Sequence, residues 1–146
     1  QVLFNARKIA TVAEMDRAVT AFIDGLHLFE QALRDFMNVE RVMKPGGLVV
    51  IDDIFPAHPA QAERVRRTKK WAGDVWKVLK ILQEHRPDLE LTALDVAPTG
   101  LLLVRNLDPG SRILEEAYHD LVDEWMDQVV PEDIIRRHAC TQVRIS

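Results

Sequence analysis

The spacing of apolar residues changes several times along the chain, and each change marks an element. Over residues 18–24 the run Ala-Val-Thr-Ala-Phe-Ile-Asp is short, rich in residues that favour strands and stopped by Gly25, which predicts a strand buried on both faces. Residues 28–43 then carry apolar side chains at Phe29, Ala32, Leu33, Phe36, Met37, Val39, Val42 and Met43, the spacing of a helix with a wide apolar stripe. Lys44-Pro45-Gly46-Gly47 ends that helix, because Pro45 cannot continue the hydrogen-bond ladder and the glycines permit a tight reversal. Residues 48–51 predict a second buried strand. Strand, helix and strand within so short a span make a βαβ unit with parallel strands and a right-handed crossover, so both strand C-termini fall on one edge of the sheet.

Beyond Pro56 and Pro59, residues 61–85 predict one long helix. Its first half is basic (Arg64, Arg66, Arg67, Lys69, Lys70), and its packing side chains come later, at Trp71, Val75, Trp76, Leu79, Ile81 and Leu82. Arg86-Pro87-Asp88 terminates it. Residues 89–96 and 101–106 predict two strands joined by the turn Ala97-Pro98-Thr99-Gly100, an antiparallel hairpin at the sheet edge. Residues 111–130 predict an amphipathic helix with Ile113, Leu114, Ala117, Leu121, Val122, Trp125 and Met126 on one side, Ser111 as N-cap and Pro131 as stop. Ahead of all these, residues 1–5 are a short apolar run and 6–17 favour a weak helix.

Composition narrows the class of protein. With 146 residues, of which 47% are hydrophobic, the chain is long enough to close one core, and a single domain over 1–146 is the expectation. A net charge of −4 leaves no overall positive field to collect phosphate backbones or anionic lipid, so neither nucleic acid nor membrane is expected as a partner. The single cysteine, Cys140, has no intramolecular partner, and no signal-peptide pattern or membrane-spanning apolar run is present, which points to a reducing, cytoplasmic setting. The chain opens on Gln1 rather than Met, as a processed or incomplete piece would.

The candidate chemistry lies where the two parallel strands end. In a parallel α/β sheet ligands bind beyond the strand C-termini, and Asp24, Asp52 and Asp53 stand there. Carboxylates brought together repel unless a cation or proton compensates, so a hard ion such as Mg²⁺ suits them; the same acids can instead cap turns and helix N-termini. His27 follows Asp24 and is either a proton acceptor, a further metal ligand or a loop histidine that stacks or caps. Trp71 and Trp76 flank Gly73 and do not share a helical face, so one can pack into the core while the other meets a substrate or partner. The basic run 64–70 reads as a solvated face. No Gly-x-Ser-x-Gly elbow is present, and Lys44-Pro45-Gly46-Gly47 precedes a strand instead of opening a helix, so hydrolase and phosphate-loop chemistry have no support.

Taken together, Phe22-Ile23-Asp24-Gly25-Leu26-His27, Lys44-Pro45-Gly46-Gly47, Val50-Ile51-Asp52-Asp53, Trp71-x-Gly73-Asp74-Val75-Trp76 and Pro98-Thr99-Gly100-Leu101 resemble class I S-adenosylmethionine-dependent methyltransferases, in the branch with an Asp-Gly-x-His turn after the fourth strand. The resemblance implies a Rossmann-like α/β fold of which this chain holds strands four to seven: parallel strands, a C-terminal antiparallel hairpin and helices on both faces. It divides the chain into a lead over 1–17, a family-like core over 18–108 and a C-terminal helical extension over 109–146. It also implies S-adenosylmethionine as cofactor, with Asp24, Gly25 and His27 near it, Asp24 and His27 as catalytic residues, and Asp24, Asp52 and Asp53 around a divalent metal such as Mg²⁺. The implied reaction is O-methylation of a small-molecule or sugar hydroxyl. One departure stands out: the family's glycine-rich cofactor loop precedes the Asp-Gly-x-His turn, and residues 1–19 contain no glycine. The competing expectation is a non-catalytic, truncated remnant that does not bind cofactor alone. Its strand 18–23, normally interior, would then be an unpaired edge and favour a homodimer.

Overall fold

The computed structural model describes residues 19–136 and 141–143. The expected apolar run 1–5 and lead helix 6–17 lie outside them. In chain order the elements are strand β1 (Thr20–Ile23), helix α1 (Phe29–Glu40), strand β2 (Leu48–Asp52), a 3₁₀ turn (Pro59–Ala62), helix α2 (Trp76–His85), strands β3 (Glu90–Asp95) and β4 (Leu101–Arg105), helix α3 (Ile113–Trp125) and strand β5 (Thr141–Val143). The strands form one mixed sheet in the order β1-β2-β4-β3-β5. The β1 and β2 strands are parallel, with Thr20 opposite Leu48 and Ile23 opposite Ile51. The β4 strand runs antiparallel to both β2 and β3.

The βαβ unit forms as its pattern predicts. Phe29, Ala32, Leu33, Phe36 and Val39 of α1 are all buried, so the apolar stripe is spent on the core. Each of these side chains larger than alanine contributes on the order of 1.5–3 kcal/mol on removal from water. The strands themselves alternate: Ala21, Ile23, Val49, Ile51, Leu102 and Val104 are buried, whereas Thr20, Phe22, Leu48, Val50 and Leu103 are only half-buried. The expectation that β1 is buried on both faces is corrected accordingly. The helices α1, α2 and α3 pack on one another as one layer, so cover on both faces is not found among the described residues.

Further expectations are corrected. The predicted helix 61–85 is helical only in its second half. Upstream, the Gln61 carbonyl accepts from the N–H groups of Ala72 and Gly73, and the Glu63 carbonyl accepts from the Trp71 indole, so neither serves a helical ladder. The hairpin does not form the sheet edge, because β4 lies between β2 and β3, and β5 pairs with β3 beyond it. With only three residues, β5 shows no periodicity, and its region reads in sequence as helical extension. Finally, α3 is capped by Arg112 with no side-chain hydrogen bond, while the Ser111 Oγ is buried without a partner. The helix stops at Trp125, ahead of Pro131, and the Met126 carbonyl just beyond it accepts from Lys77 Nζ at 2.9 Å.

Two buried ion-pair clusters tie the helices together. Arg86, 1% exposed, pairs with Glu40 through both terminal nitrogens at 2.7 and 2.8 Å and with Asp88, tying the end of α2 to the end of α1. At the other end of α2, Asp74 accepts from the Phe29 backbone N–H, Arg64 and Lys77 at 2.9, 2.7 and 3.0 Å. The first of these bonds satisfies an orphan donor at the start of α1, where Leu28 is extended and offers no cap. No helix among the described residues is long and apolar enough to cross a membrane.

Candidate functional site

The parallel pairing of β1 with β2 brings Asp24 and Asp52 out at the same end of the sheet, as the βαβ reading requires. Their side chains then part. Asp24 is half exposed, at 51%. Asp52 turns inward: one oxygen accepts from the Asp53 backbone N–H at 2.8 Å and lies 3.3 Å from the Thr99 hydroxyl. Asp53 is buried, and its carboxylate accepts from Thr99 Oγ1 at 2.7 Å. Thr99 belongs to the β3–β4 turn, where Gly100 takes φ +74° and a Cβ would strike the Phe55 ring. The turn is pressed on the end of β2, and the Phe55 N–H donates to the Thr99 carbonyl at 2.7 Å.

His27 completes the cluster. Its Nδ1 lies 3.1 Å from Asp53 Oδ2, and its Nε2 lies 3.8 Å from Asp24 Oδ1. Nδ1 is buried, and this ion-pair contact with Asp53 is not accompanied by a hydrogen bond. Asp24, His27 and Asp53 each present one donor atom, all within 4.8 Å of one another. Both His27 and Asp53 occupy the left-handed backbone region, at φ +59° and +68°. Non-glycine residues held there cost energy and persist only where surrounding contacts impose the conformation, which happens most at functional sites.

The electrostatics are those of crowded acids. Burial pushes the Asp53 carboxyl up to about 7, with the charges of Asp52 and Asp24 adding to the rise and the Thr99 hydrogen bond opposing it. Asp52 is raised as well, chiefly by burial and also by Asp24. A cation among these groups would relieve both the desolvation and the repulsion. The residues therefore fit a divalent ion, and the observation that carries the fit is a buried imidazole Nδ1 with no hydrogen bond beside Asp53, in a group whose third donor is Asp24. S-adenosylmethionine is a different case. The chain's six glycines form no Gly-x-Gly turn, so the residues present do not offer the close backbone approach such a cofactor needs.

Of the residues singled out in sequence, Asp24, His27 and Asp53 meet, while Asp52 supports Asp53 from behind. Gly25 sits in the same turn, facing Asp35, where a Cβ would lie 3.2 Å from a carboxylate oxygen. Trp76 is buried in the core, and Trp71 is the aromatic that reaches the site, stacked on His27 with ring centroids 5.0 Å apart and planes 5° apart. Arg64, read in sequence as part of a solvated face, instead pairs with Glu30 and Asp74 at 2.6 and 2.7 Å. Thr99 was legible only as a turn residue; nothing in its sequence neighbourhood announces a bond to an acid 46 positions away.

Comparison with known proteins bears on the class of domain and assigns no role to any of these residues. The profile of a family described as "Methyltransferase domain" matches residues 4–54. No curated protein and no solved structure matches the chain at a significant level. The matched span contains β1, α1 and β2 and all four of Asp24, His27, Asp52 and Asp53, and the small mixed α/β sheet is compatible with such a fold, so over this segment the chain is similar to a methyltransferase domain.

Proposed function

We propose that the chain carries the metal and acceptor side of a methyl-transfer site, with Asp24, His27 and Asp53 holding a divalent cation and a small-molecule or sugar hydroxyl as the methyl acceptor. The observation that supports it best is the convergence of these donors, including a buried imidazole nitrogen with no hydrogen bond, within the segment similar to methyltransferase domains. A divalent cation at such a donor set supplies a Lewis acid that lowers the pKa of a hydroxyl. Two carboxylates with one imidazole are a mixed hard and borderline set, which favours Mn²⁺ over Mg²⁺.

The chain's own residues do the rest of the work proposed here. Thr99 and the Asp52–Asp53 backbone bond hold the Asp53 carboxylate in place. Asp24, half exposed at the mouth, can receive the proton that the acceptor gives up and pass it to water. The setting proposed is cytoplasmic, in keeping with a lone cysteine.

Isothermal titration with Mn²⁺, then with S-adenosylmethionine in its presence, is the test. One cation per chain, lost in Asp24→Asn, His27→Ala and Asp53→Asn, is the expected result. Failure of the wild-type chain to bind Mn²⁺ or Mg²⁺ overturns the metal reading. Cation binding with no uptake of S-adenosylmethionine would favour the non-catalytic reading.

A further inference from the structure

We propose that the loop over residues 61–74 is a clasp on the His27 turn, and that Trp71 is the positioning residue that fixes the imidazole between Asp24 and Asp53. The proposal rests on the reading of those residues as ligands of a divalent cation.

The need for such a residue follows from the bonds His27 lacks. A histidine ring turns about a broad torsion, so neighbours must set its plane. Ligating histidines usually have that plane set by a hydrogen bond from the second ring nitrogen to a carboxylate or carbonyl. Neither nitrogen has one here: Nδ1 makes only the ion-pair contact with Asp53 Oδ2 at 3.1 Å, without a hydrogen bond, and Nε2 stands 3.8 Å from Asp24, beyond hydrogen-bond reach. What holds the plane is the Trp71 indole, parallel to it within 5°.

The indole is in turn fixed. Its Nε1 donates to the Glu63 carbonyl at 2.6 Å, and the next two backbone N–H groups, of Ala72 and Gly73, both donate to the Gln61 carbonyl at 3.0 Å. Gln61 is buried and accepts from the Ala57 N–H through its side chain. The loop then closes on the backbone of His27 itself. At Gly73, with φ +61°, an added Cβ would lie 1.7 Å from the His27 carbonyl oxygen. The following N–H, of Asp74, donates to that same oxygen at 3.3 Å, while the Asp74 carboxylate takes the N–H of Phe29 two residues further on. Arg64 and Lys77 hold the Asp74 carboxylate. Ring, carbonyl and following helix are thus gripped from one loop, which leaves His27 little freedom to leave its left-handed conformation.

The test compares Trp71→Leu, which keeps apolar bulk but loses the flat face, with Trp71→Phe, which keeps a ring. Calorimetric titration with Mn²⁺ should show affinity about tenfold weaker or more in Trp71→Leu, the size usual for loss of a residue that orients a ligand, and largely restored in Trp71→Phe. In parallel, ¹³C relaxation of the His27 ring in the cation-free protein should show a ring less ordered in Trp71→Leu than in wild type or Trp71→Phe. A Trp71→Leu variant that binds Mn²⁺ as wild type does, or whose ring is equally ordered, overturns the clasp. If wild type binds no cation, the ligand reading falls, and the relaxation comparison alone decides whether Trp71 positions the ring.

Discussion

Replacing Asp53 by Asn removes one charge from the crowded carboxylates while sparing the geometry around it. Asn tolerates the left-handed backbone that Asp53 adopts at φ +68°, and its side-chain oxygen can still accept from Thr99. The carboxyl is raised from an ordinary 3.8 to about 7, which at about 1.36 kcal/mol per pH unit corresponds to about 4 kcal/mol. The side chain is only 7% exposed, so solvent screening takes little from that figure, although a proton on His27, 3.1 Å away, would offset part of it. The folded state binds the proton more tightly than the unfolded one. Below pH 3.8 the group is neutral in both states and costs nothing, stability falls as pH rises from there to about 7, and above 7 the full penalty applies. Cation-free Asp53→Asn should therefore match wild type near pH 3.5 and exceed it by up to about 4 kcal/mol at pH 8. Urea unfolding followed by circular dichroism in chelator across this range measures the difference. A gap that does not change with pH, or an Asn variant less stable at pH 8, would refute the argument. Adding Mn²⁺ at pH 8 to one hundred times its dissociation constant should stabilise wild type by about 2.7 kcal/mol and leave the variant nearly unmoved.

Other outcomes follow from the packing. Gly73→Ala places a Cβ against the His27 carbonyl at a positive φ and should cost at least about 3 kcal/mol; wild-type stability in that variant would contradict the tight approach of loop and turn. Arg86→Met strands the buried Glu40 carboxylate and should cost about 3–5 kcal/mol. Adding Glu40→Leu should recover most of that loss, and a double variant no better than the single one would argue against the pair. We also expect the chain to self-associate through β1, the edge strand of the described sheet. Sedimentation equilibrium at micromolar concentration checks this, and a monomer there counts against it.

Periodicity alone determined the βαβ unit. Phe29, Ala32, Leu33 and Phe36 can share a core only as a helix, and the short apolar run at 48–51 between Gly47 and Asp52 suits only a strand. That unit forces Asp24 and Asp52 to one end of the sheet, which is why those acids and their neighbours His27 and Asp53 could be named from sequence. The stretch 61–74 was misread because basic residues in an amphipathic-looking frame mimic a helix. Its conformation is instead decided by the Gln61 carbonyl, which accepts from the Ala72 and Gly73 N–H groups, by the Glu63 carbonyl, which accepts from the Trp71 indole, and by Gly73 and Asp74, the first packed against the His27 carbonyl and the second bonded to it.

Two things therefore belonged to the tertiary structure alone. One is which carboxylates converge: Asp52 is drawn to the Asp53 N–H and toward Thr99, so that Asp24, His27 and Asp53 make the cluster. The other is what sets the imidazole plane, namely an indole 44 positions further along the chain. Local sequence determines where a strand ends because burial period is a property of neighbours along the chain. Which way the side chains at that end turn depends on partners such as Thr99 and Trp71, brought there only by packing of the loops they occupy.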